Sequence, residues 1–521
     1  MRLVDYLDKG ASLGPDRPCL TTDGTTMSYA DVQALSHRVA AALVAAGVTP
    51  GETVAILSAN DPIAFSCVFG ISRAGAVWCP INPRNEATEN RQLLDLFDCS
   101  VLVYQQSFAP LVNRIRADLP KVHTWVCLDG PAAPDTLTWA QFLAAGRPST
   151  ATDPEPAPAC DLPALDDFAM LVGTSGTTGR PKGVMLTGRN LETMTAITLM
   201  SYPFRGRPVY LALAPLTHAA GVLCFPMLCQ GGEIVIMRRP EVATFVELIA
   251  RHGVTHTFLP PTLIYMVLAE PALDRTDLSS LQCFWYGAAP MSAARLQEAL
   301  TRIGPVMGQL FGQTEAPMMI STMAPADHFE PDGTVAVGRL ASAGRPAPLV
   351  TVGIMDAAGA LLGPGERGEI VVRGSLVTPG YYRDRQATAE ASRFGWHHTG
   401  DIGYLDDDGY LFIVDRAKDM VITGGFNVYS TEVEQALMQH PGVRDCAVVG
   451  LPDEKWGERV VAVVQAQPGT DLREAEVIAF VKTLIGSVKT PKQVHLWPDL
   501  PRSKVGKVLK TDIKATLGAA R

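Results

Sequence analysis

A ten-residue stretch rich in glycine and hydroxyl side chains follows an apolar run at positions 168–172 of this 521-residue chain. It reads Thr174-Ser175-Gly176-Thr177-Thr178-Gly179-Arg180-Pro181-Lys182-Gly183. Glycines let backbone N–H groups turn towards an anion, the hydroxyls add donors, and Lys182 supplies a positive charge. The stretch is not a Walker A loop, because that motif ends in Gly-Lys-Ser/Thr whereas Gly183 follows Lys182 here. The composition predicts a phosphate-binding loop, although a flexible surface loop can have the same composition.

Three further polar segments follow this loop along the chain. They are Phe311-Gly312-Gln313-Thr314-Glu315, then His398-Thr399-Gly400-Asp401 with Asp415-Arg416-Ala417-Lys418-Asp419, and finally Pro501-Arg502-Ser503-Lys504-Val505-Gly506-Lys507. In this order, and over nearly the whole chain, the segments resemble the adenylate-forming superfamily of acyl-CoA synthetases, peptide-synthetase adenylation domains and luciferases. The resemblance implies that ATP and Mg²⁺ bind and that a carboxylic acid is activated as an acyl-adenylate.

The segment at Phe311 combines an aromatic ring, a hydroxyl and a carboxylate. The ring of Phe311 can stack on adenine, although a core aromatic residue is the alternative interpretation. Because Mg²⁺ takes one or two oxygens from protein and the rest from phosphate and water, Thr314 beside Glu315 suits a metal-bound phosphate. The resemblance implies that Thr314 contacts the α-phosphate and that Glu315 holds the metal. The other residues predicted to bind ATP are Thr174, Ser175, Gly176, Thr177, Thr178, Gly179, Lys182, Gly287, Ala288, Ala289, Gly312, Asp401 and Arg416.

Four charged residues of the later segments have distinct predicted roles. The two oxygens of Asp401 can accept hydrogen bonds from both ribose hydroxyls, although an aspartate after Thr-Gly is also a common turn residue. The resemblance implies that Arg416 reaches the ribose and phosphates, and that Lys418 is the hinge about which a small domain rotates between two half-reactions. It also makes Lys507 the catalytic lysine, whose ammonium stabilises charge as the carboxylate attacks the α-phosphorus. A solvated basic tail is the alternative for Lys507.

The segment 214–221 aligns with the region that lines the acid pocket in the superfamily. Amino-acid-activating members place an aspartate there, and none is present here, so we expect an uncharged hydrocarbon or ring to bind. His218 is predicted to gate the passage for the CoA thiol, although a histidine at a strand end is as often structural. Ser430 stands where the superfamily commonly has proline. The predicted acyl pocket comprises His218, Ala219, Gly221, Val222 and Gly308, and the predicted CoA tunnel comprises His218, Gly424 and Gly425.

Alternating strand and helix patterns must position these residues. Strands are predicted at 53–57, 209–213, 233–237, 255–258 and 282–286, helices at 29–46, 242–252 and 292–303, and a capping box at 431–434. Such alternation predicts an α/β fold with parallel sheets and crossover helices. We expect a large N-terminal domain at 1–415, with a small β subdomain, and a small mobile α+β domain at 416–521. A proline-rich connector is expected at 145–167.

Bulk composition narrows the class of protein. A hydrophobic fraction of 47% and a charged fraction of 19% are ordinary for globular proteins, and the length calls for two or more domains. The net charge of −9 argues against nucleic acid as a partner. No signal peptide or membrane-spanning run is evident, which predicts a cytoplasmic protein. Ten cysteines without a Cys-x-x-Cys pair argue against disulfides and zinc.

These observations predict an AMP-forming acyl-CoA synthetase that uses ATP, Mg²⁺ and CoA and acts on a fatty, aryl or alicyclic acid. Two alternatives stay open. One is an acyl-AMP ligase that loads a carrier protein, and the other is a nucleotide-binding regulator without catalysis. Acceptance of the acyl group by free CoA would distinguish the synthetase from the carrier-protein ligase. Release of pyrophosphate from ATP would distinguish it from the regulator without catalysis.

Overall fold

The computed structural model describes residues 1–131, 133–146, 167–175, 181–416, 419–503 and 508–519, with only the backbone of Ser175 and Ala519. Most of the predicted connector lies outside these residues, as do the tip of the glycine-rich loop at 176–180, the predicted hinge Lys418 and the predicted catalytic Lys507. The predictions made for those positions therefore stay predictions.

The described strands are β1 (Pro18–Thr22), β2 (Thr25–Ser28), β3 (Thr53–Leu57), β4 (Val77–Ile81), β5 (Cys99–Tyr104), β6 (Thr124–Cys127), β7 (Leu137–Thr138), β8 (Phe168–Ser175), β9 (Pro181–Thr187), β10 (Val209–Ala212), β11 (Glu233–Ile236), β12 (His256–Leu259), β13 (Cys283–Gly287), β14 (Met307–Phe311), β15 (Ser321–Met323), β16 (Arg345–Pro346), β17 (Thr351–Met355), β18 (Gly368–Arg373), β19 (His397–Leu405), β20 (Leu411–Arg416), β21 (Val421–Thr423), β22 (Phe426–Val428), β23 (Val443–Asp453), β24 (Gly457–Ala466) and β25 (Gln493–Leu496). The described α-helices are α1 (Leu3–Leu13), α2 (Tyr29–Ala45), α3 (Pro62–Arg73), α4 (Ala87–Leu96), α5 (Ala109–Ile115), α6 (Trp139–Ala145), α7 (Gly188–Ser201), α8 (Ala219–Val222), α9 (Cys224–Leu228), α10 (Val242–His252), α11 (Pro261–Leu268), α12 (Ala293–Arg302), α13 (Arg385–Ala391), α14 (Ser430–Leu437), α15 (Glu474–Lys489) and α16 (Lys510–Ala519).

Two mostly parallel sheets form the large N-terminal part. Within the described residues, the first has the order β16-β15-β14-β13-β12-β10-β11-β1-β2, with parallel pairing from β14 to β1. The second has the order β7-β6-β5-β3-β4-β8-β9, and only its last pair, β8 with β9, is antiparallel. Helices connect the parallel strands, as crossover connections require. This topology confirms the predicted α/β fold class.

The main core lies between these two sheets. Its buried residues come from both sheets and from α1, α2, α3, α7 and α9. A second cluster covers the outer face of the first sheet beneath α10, α11 and α12, and a third covers the outer face of the second sheet beneath α4 and α5. Because both faces of each parallel sheet are covered, the strands read as apolar runs in the sequence.

Two smaller β-containing units complete the chain. The antiparallel sheet β17-β18-β19-β20 packs against Phe311 at the end of β14. The remaining sheet, β22-β21-β24-β23 with β25 paired to β24, forms the small C-terminal α+β unit together with α14, α15 and α16. Within the described residues, no helix is both long and apolar enough to cross a membrane.

Local sequence signals explain several helix ends. At the start of α2, the Ser28 hydroxyl accepts from the Asp31 N–H, and the Asp31 carboxylate accepts from the Ser28 N–H at 2.8 Å. Helix α10 ends at Gly253, whose φ of 58° lies in the left-handed region. These helices match the predicted 29–46 and 242–252 closely.

The predicted capping box at 431–434 is wrong. Helix α14 begins at Ser430, and its N-cap residue Tyr429 makes no side-chain cap. The Ser430 N–H and hydroxyl donate instead to the Asp415 carboxylate, at 2.5 and 2.9 Å. Glu434 pairs with Lys510 at 2.8 Å rather than turning back to the helix start. A carboxylate from β20 therefore caps this helix, which a local motif cannot reveal.

Candidate functional site

The residues predicted to hold adenine lie at the carboxyl ends of β13 and β14, where α/β sheets bind ligands. Gly287 ends β13 and pairs with Leu310 of β14. A Cβ on Gly287 would stand 2.2 Å from the Leu310 carbonyl oxygen, so only glycine fits. Ala288 follows with a φ of 66°, a strained value for a residue with a side chain. Phe311 ends β14 half-buried, with Gly312 packed against the Met318 backbone.

A hydrogen-bonded network joins this edge to the antiparallel sheet. Asp401 is buried and pairs across β19 and β20 with Arg416, whose Nε lies 2.7 Å from Oδ1 of Asp401. The Gln313 side-chain amide donates to Asp401 Oδ2 at 2.9 Å and to the Thr399 carbonyl at 2.7 Å. The structure therefore brings the predicted ribose and phosphate residues Asp401 and Arg416 to the strand end that carries Phe311.

The predicted metal ligand Glu315 is oriented by a tyrosine. The hydroxyl of Tyr381 donates to Oε1 of Glu315 at 2.9 Å, and burial followed by the charge of Glu315 raises the pKa of Tyr381. The Lys182 ammonium lies 4.9 Å from the centre of the Tyr381 ring. Glu315 and Lys182, which are far apart in sequence, thus both contact Tyr381, Glu315 at its hydroxyl and Lys182 at its ring.

The glycine-rich stretch spans the turn of a β-hairpin. Thr174 of β8 pairs with Lys182 of β9, and Gly173 pairs with Gly183. A Cβ on Gly183 would meet the Phe97 ring at 2.3 Å, so this glycine serves close packing rather than a ligand. The predicted anion-binding residues Gly176, Thr177, Thr178 and Gly179 lie outside the described residues.

His218 stands at the start of the short helix α8. Its Nδ1 lies 2.9 Å from the Thr217 hydroxyl, and burial, with a smaller effect of Arg84, lowers its pKa to about 4. The imidazole is therefore neutral near pH 7. Asn60 braces the preceding loop, because its side chain accepts from Leu216 N–H at 2.9 Å and donates to neighbouring carbonyls.

The predicted acid-pocket residues lie on α8 and on β14. Ala219, Gly221 and Val222 form α8, and a Cβ on Gly221 would stand 1.8 Å from the Leu216 carbonyl oxygen. Gly308 pairs with Trp285 in the sheet, and a Cβ there would meet Cys283 Sγ at 2.7 Å and Trp285 Cδ1 at 3.3 Å. Buried aromatic side chains thus lie directly against Gly308.

The small C-terminal unit contacts the large part near this site. Arg502 donates to the Thr262 hydroxyl at 3.3 Å, and Gln435 donates to the Met291 carbonyl at 3.3 Å. Arg502 and Val508 form a β-bridge on either side of residues 504–507. The segment that carries Lys507 is therefore anchored at both ends, and one anchor contacts α11.

The turn predicted to contact CoA is exposed. Gly424 and Gly425 have φ values of 57° and 82° and join β21 to β22. Ile422 and Phe426 beside the turn are 53% and 59% exposed. The structure does not bury this turn with Asp401 and Glu315.

Three site residues were missed in the sequence. Gln313 supports Asp401, Tyr381 orients Glu315, and His397 lies 3.4 Å from the Gln313 side-chain oxygen. Burial lowers the pKa of His397. Gln313 lies within the segment 311–315, so its place in that segment could have suggested a role in the site. Tyr381 comes next to Glu315 only in the tertiary structure.

Within the described residues, no group of three or more His, Cys, Asp or Glu side chains could hold a metal by itself.

The chain is similar to known proteins over nearly its whole length. The profile of the AMP-binding enzyme family matches residues 7–382, and that of the AMP-binding enzyme C-terminal domain matches residues 432–507. The chain is 35% identical to medium/long-chain-fatty-acid–CoA ligase FadD8 of Mycobacterium tuberculosis, over 97% of this chain and 89% of that protein. It is 35% identical to a feruloyl-CoA synthase of an Amycolatopsis species, over 98% of this chain and 97% of that protein. The solved amide bond synthetase McbA of Marinactinospora thermotolerans is similar in structure, with a TM-score of 0.87, 32% identity and 99% of each chain covered.

Proposed function

This chain belongs to the AMP-binding enzyme family, and we propose that it is an AMP-forming acyl-CoA synthetase for an uncharged, apolar carboxylic acid. One observation carries the proposal. The buried Asp401, braced by Arg416 and Gln313, and the oriented Glu315 lie together at the ends of β13 and β14 beside the phosphate hairpin. This arrangement suits a nucleotide whose ribose and phosphates are held at the same time.

We propose the following roles for the site residues in the first half-reaction. The acid carboxylate attacks the α-phosphorus of ATP, so that a P–O bond forms to the acid and the bond to pyrophosphate breaks. Phe311 stacks on adenine, Asp401 accepts from the ribose hydroxyls, and Thr314 contacts the α-phosphate. Lys507 stabilises the charge that develops on the attacking and leaving oxygens.

The residues at Glu315 fit a magnesium ion. Mg²⁺ is usually held by one or two carboxylates together with substrate phosphates, and Tyr381 orients the carboxylate of Glu315. When bound, the ion neutralises the charge of the departing pyrophosphate. Lys182, next to the Tyr381 ring, lies on the side where the phosphates are expected.

In the second half-reaction the CoA thiol attacks the acyl carbonyl, and AMP leaves. The arrangement of the small unit suits the first step, because Arg502, which precedes the Lys507 segment, contacts Thr262 of the large part, while the Gly424-Gly425 turn is exposed. We infer that rotation about Lys418, between domains 1–415 and 416–521, brings this turn to the acyl-adenylate.

The decisive experiment measures AMP formation from ATP with a panel of fatty, aryl and alicyclic acids, with and without CoA. Formation of acyl-CoA and AMP with at least one acid supports the proposal. Transfer only to a phosphopantetheinylated carrier protein would identify a carrier-protein ligase instead. Failure to release pyrophosphate with every acid and acceptor would indicate a non-catalytic nucleotide-binding protein.

Lys507 provides a sharper test of the mechanism. Lys507→Ala should lower adenylation on the order of a hundredfold or more, because one preorganised charge is lost from the transition state. Thioester formation from supplied acyl-adenylate should be spared. Lys504→Ala, in the same segment, is the matched control and should leave both steps near wild type. Equal loss of both half-reactions in Lys507→Ala would contradict the assignment.

A further inference from the structure

The side-chain amide of Gln313 connects the end of β14 to the antiparallel sheet that carries Asp401. Its nitrogen donates to Oδ2 of Asp401 at 2.9 Å and to the carbonyl oxygen of Thr399 at 2.7 Å. A carboxylate paired with an arginine and a carbonyl oxygen both act as acceptors, so the nitrogen of the amide, and not its oxygen, must face them. The chemistry of its neighbours therefore fixes the direction of this amide.

The backbone of Gln313 is held as firmly as its side chain. Its N–H donates to the carbonyl of Ala316 at 3.0 Å, and the Ala316 N–H donates to the Gln313 carbonyl at 3.3 Å. A Cβ on the preceding Gly312 would stand 2.5 Å from the backbone nitrogen of Met318, so the chain leaves β14 along a closely packed path. Phe311 lies only two residues earlier, and the same stretch of backbone therefore positions both its ring and the amide.

The turn that presents Asp401 is fixed from the other side. The Asp401 N–H donates to the Thr399 hydroxyl at 3.1 Å, and that hydroxyl donates to the Ile370 carbonyl at 2.7 Å. Nε of Arg416 lies 2.7 Å from Oδ1 of Asp401, which is 4% exposed. Arg416 thus holds one carboxylate oxygen, and Gln313 holds the other.

A carboxylate has about four lone-pair sites, so an oxygen that accepts from protein can also accept from a ribose hydroxyl. Such a bond weakens steeply when its angle departs from linearity, and its energy therefore depends on where the oxygen points. Adenine and ribose are joined by one bond in ATP. A carboxylate that binds the ribose must consequently stand in a set position relative to the ring that stacks on adenine, and fixing it beforehand lowers the cost of binding.

We propose that Gln313 is a positioning residue for the nucleotide sugar, which fixes Oδ2 of Asp401 relative to Phe311 and so makes the site select ribose over deoxyribose. Gln313 acts through Asp401 and not by contact with ATP. His397, whose Nε2 lies 3.4 Å from Oε1 of Gln313, supports the amide from its other end. This inference rests on the proposed function, since it concerns the ATP of the same site.

Isothermal titration calorimetry of the whole chain with Mg²⁺ and ATP, 2′-deoxy-ATP or 3′-deoxy-ATP tests the proposal without any acid or CoA. In wild-type protein we expect each deoxynucleotide to bind about tenfold or more weakly than ATP, because a hydrogen bond to a charged group is lost. Gln313→Met keeps the length of the side chain and removes the amide. The ratio of dissociation constants should then fall about threefold or more for at least one deoxynucleotide, because ATP loses affinity at a hydroxyl that this deoxynucleotide lacks.

Gln313→Asn gives a second test at the same position. It keeps the amide but shortens the side chain by one methylene, so the nitrogen can no longer reach both acceptors and the ratio should fall here too. A merely structural role would not produce this result, because a loss of stability lowers the fraction of competent protein and leaves the ratio of dissociation constants unchanged.

Gln282→Met is the matched control. The Gln282 amide also makes two hydrogen bonds, accepting from the Arg205 N–H and donating to the Arg205 carbonyl, both at 2.8 Å, but it lies before β13, at the end of that strand opposite Gly287. Its substitution should leave both ratios unchanged.

Wild-type ratios for both deoxynucleotides in Gln313→Met and Gln313→Asn would overturn the inference, as would a wild type that binds the three nucleotides equally. In either case a wild type that binds ATP and forms AMP with an acid leaves the proposed function standing. A wild type that binds no ATP removes both.

Discussion

At the scale of single residues, the site depends on side chains that orient other side chains. Asp401 is held from both oxygens, by Arg416 on one and Gln313 on the other. Glu315 is held by Tyr381. Charged groups fixed before the substrate binds need little reorganisation when charge develops, which is the basis of electrostatic catalysis.

Glu315 should set the magnesium requirement of adenylation. Glu315→Gln keeps the shape and removes the charge that holds the metal, so we expect half-maximal activity to need more Mg²⁺. Tyr381→Phe should shift the requirement in the same direction but less, because it loses only the orienting hydrogen bond. The measurement is initial adenylation rate against free Mg²⁺. Glu330→Gln, which alters a surface carboxylate paired with Arg339, is the control. An unchanged magnesium curve in Glu315→Gln would exclude this residue as the ligand.

At the scale of elements, the start of α14 links the last strand of the large part to the small unit. The Asp415 carboxylate on β20 accepts from the backbone and hydroxyl of Ser430, and Lys510 on α16 pairs with Glu434 of α14. Burial raises the pKa of both Asp415 and Glu434. The serine that replaces the common proline of the superfamily therefore supplies donors that a proline lacks.

Ser430→Ala should lower the free energy of unfolding by about 1.5–3 kcal/mol, because a hydrogen bond to a charged group usually contributes that much to stability. Ser430→Pro should cost more, because the backbone donor is lost as well. Urea denaturation at pH 7 measures both. Thr431→Ala is the informative comparison, since a capping box at 431–434 would make Thr431 the costly position. A large loss for Thr431→Ala and none for Ser430→Ala would contradict the observed cap.

At the scale of the whole molecule, two covered parallel sheets bury several neutral histidines. Burial is the main cause that lowers the pKa of His218 and His328 to about 4 and that of His256 to about 3, against an ordinary value of 6.5. Each of these groups takes up a proton when the chain unfolds in mild acid. Their contribution to stability is present above pH 6.5 and is lost as the pH falls towards 4.

The melting temperature should therefore fall between pH 6.5 and pH 4.5. His328 lies between the Tyr286 hydroxyl, 2.9 Å from Nε2, and the Ala324 carbonyl, 3.0 Å from Nδ1. His328→Gln removes one titrating group and disturbs these two contacts. We expect the melting temperature of the variant to be lower than that of wild type at pH 7 but to decline less on acidification. Scanning calorimetry of both proteins across this range measures the difference. The raised pKa values of Asp415 and Glu434 act in the opposite direction and are common to both proteins. A parallel decline in the two would show that His328 does not contribute.

The sequence by itself determined the class of fold, the phosphate-loop composition and the order of the segments that carry Glu315, Asp401 and Lys507. Those features depend on local chemistry and on hydrophobic period, which a linear pattern records. Only the tertiary structure decided which groups meet. Tyr381 reaches Glu315, and Asp415 caps α14, because strand order and sheet packing bring distant residues together. Contacts of that kind leave no periodic or spacing signal in the chain.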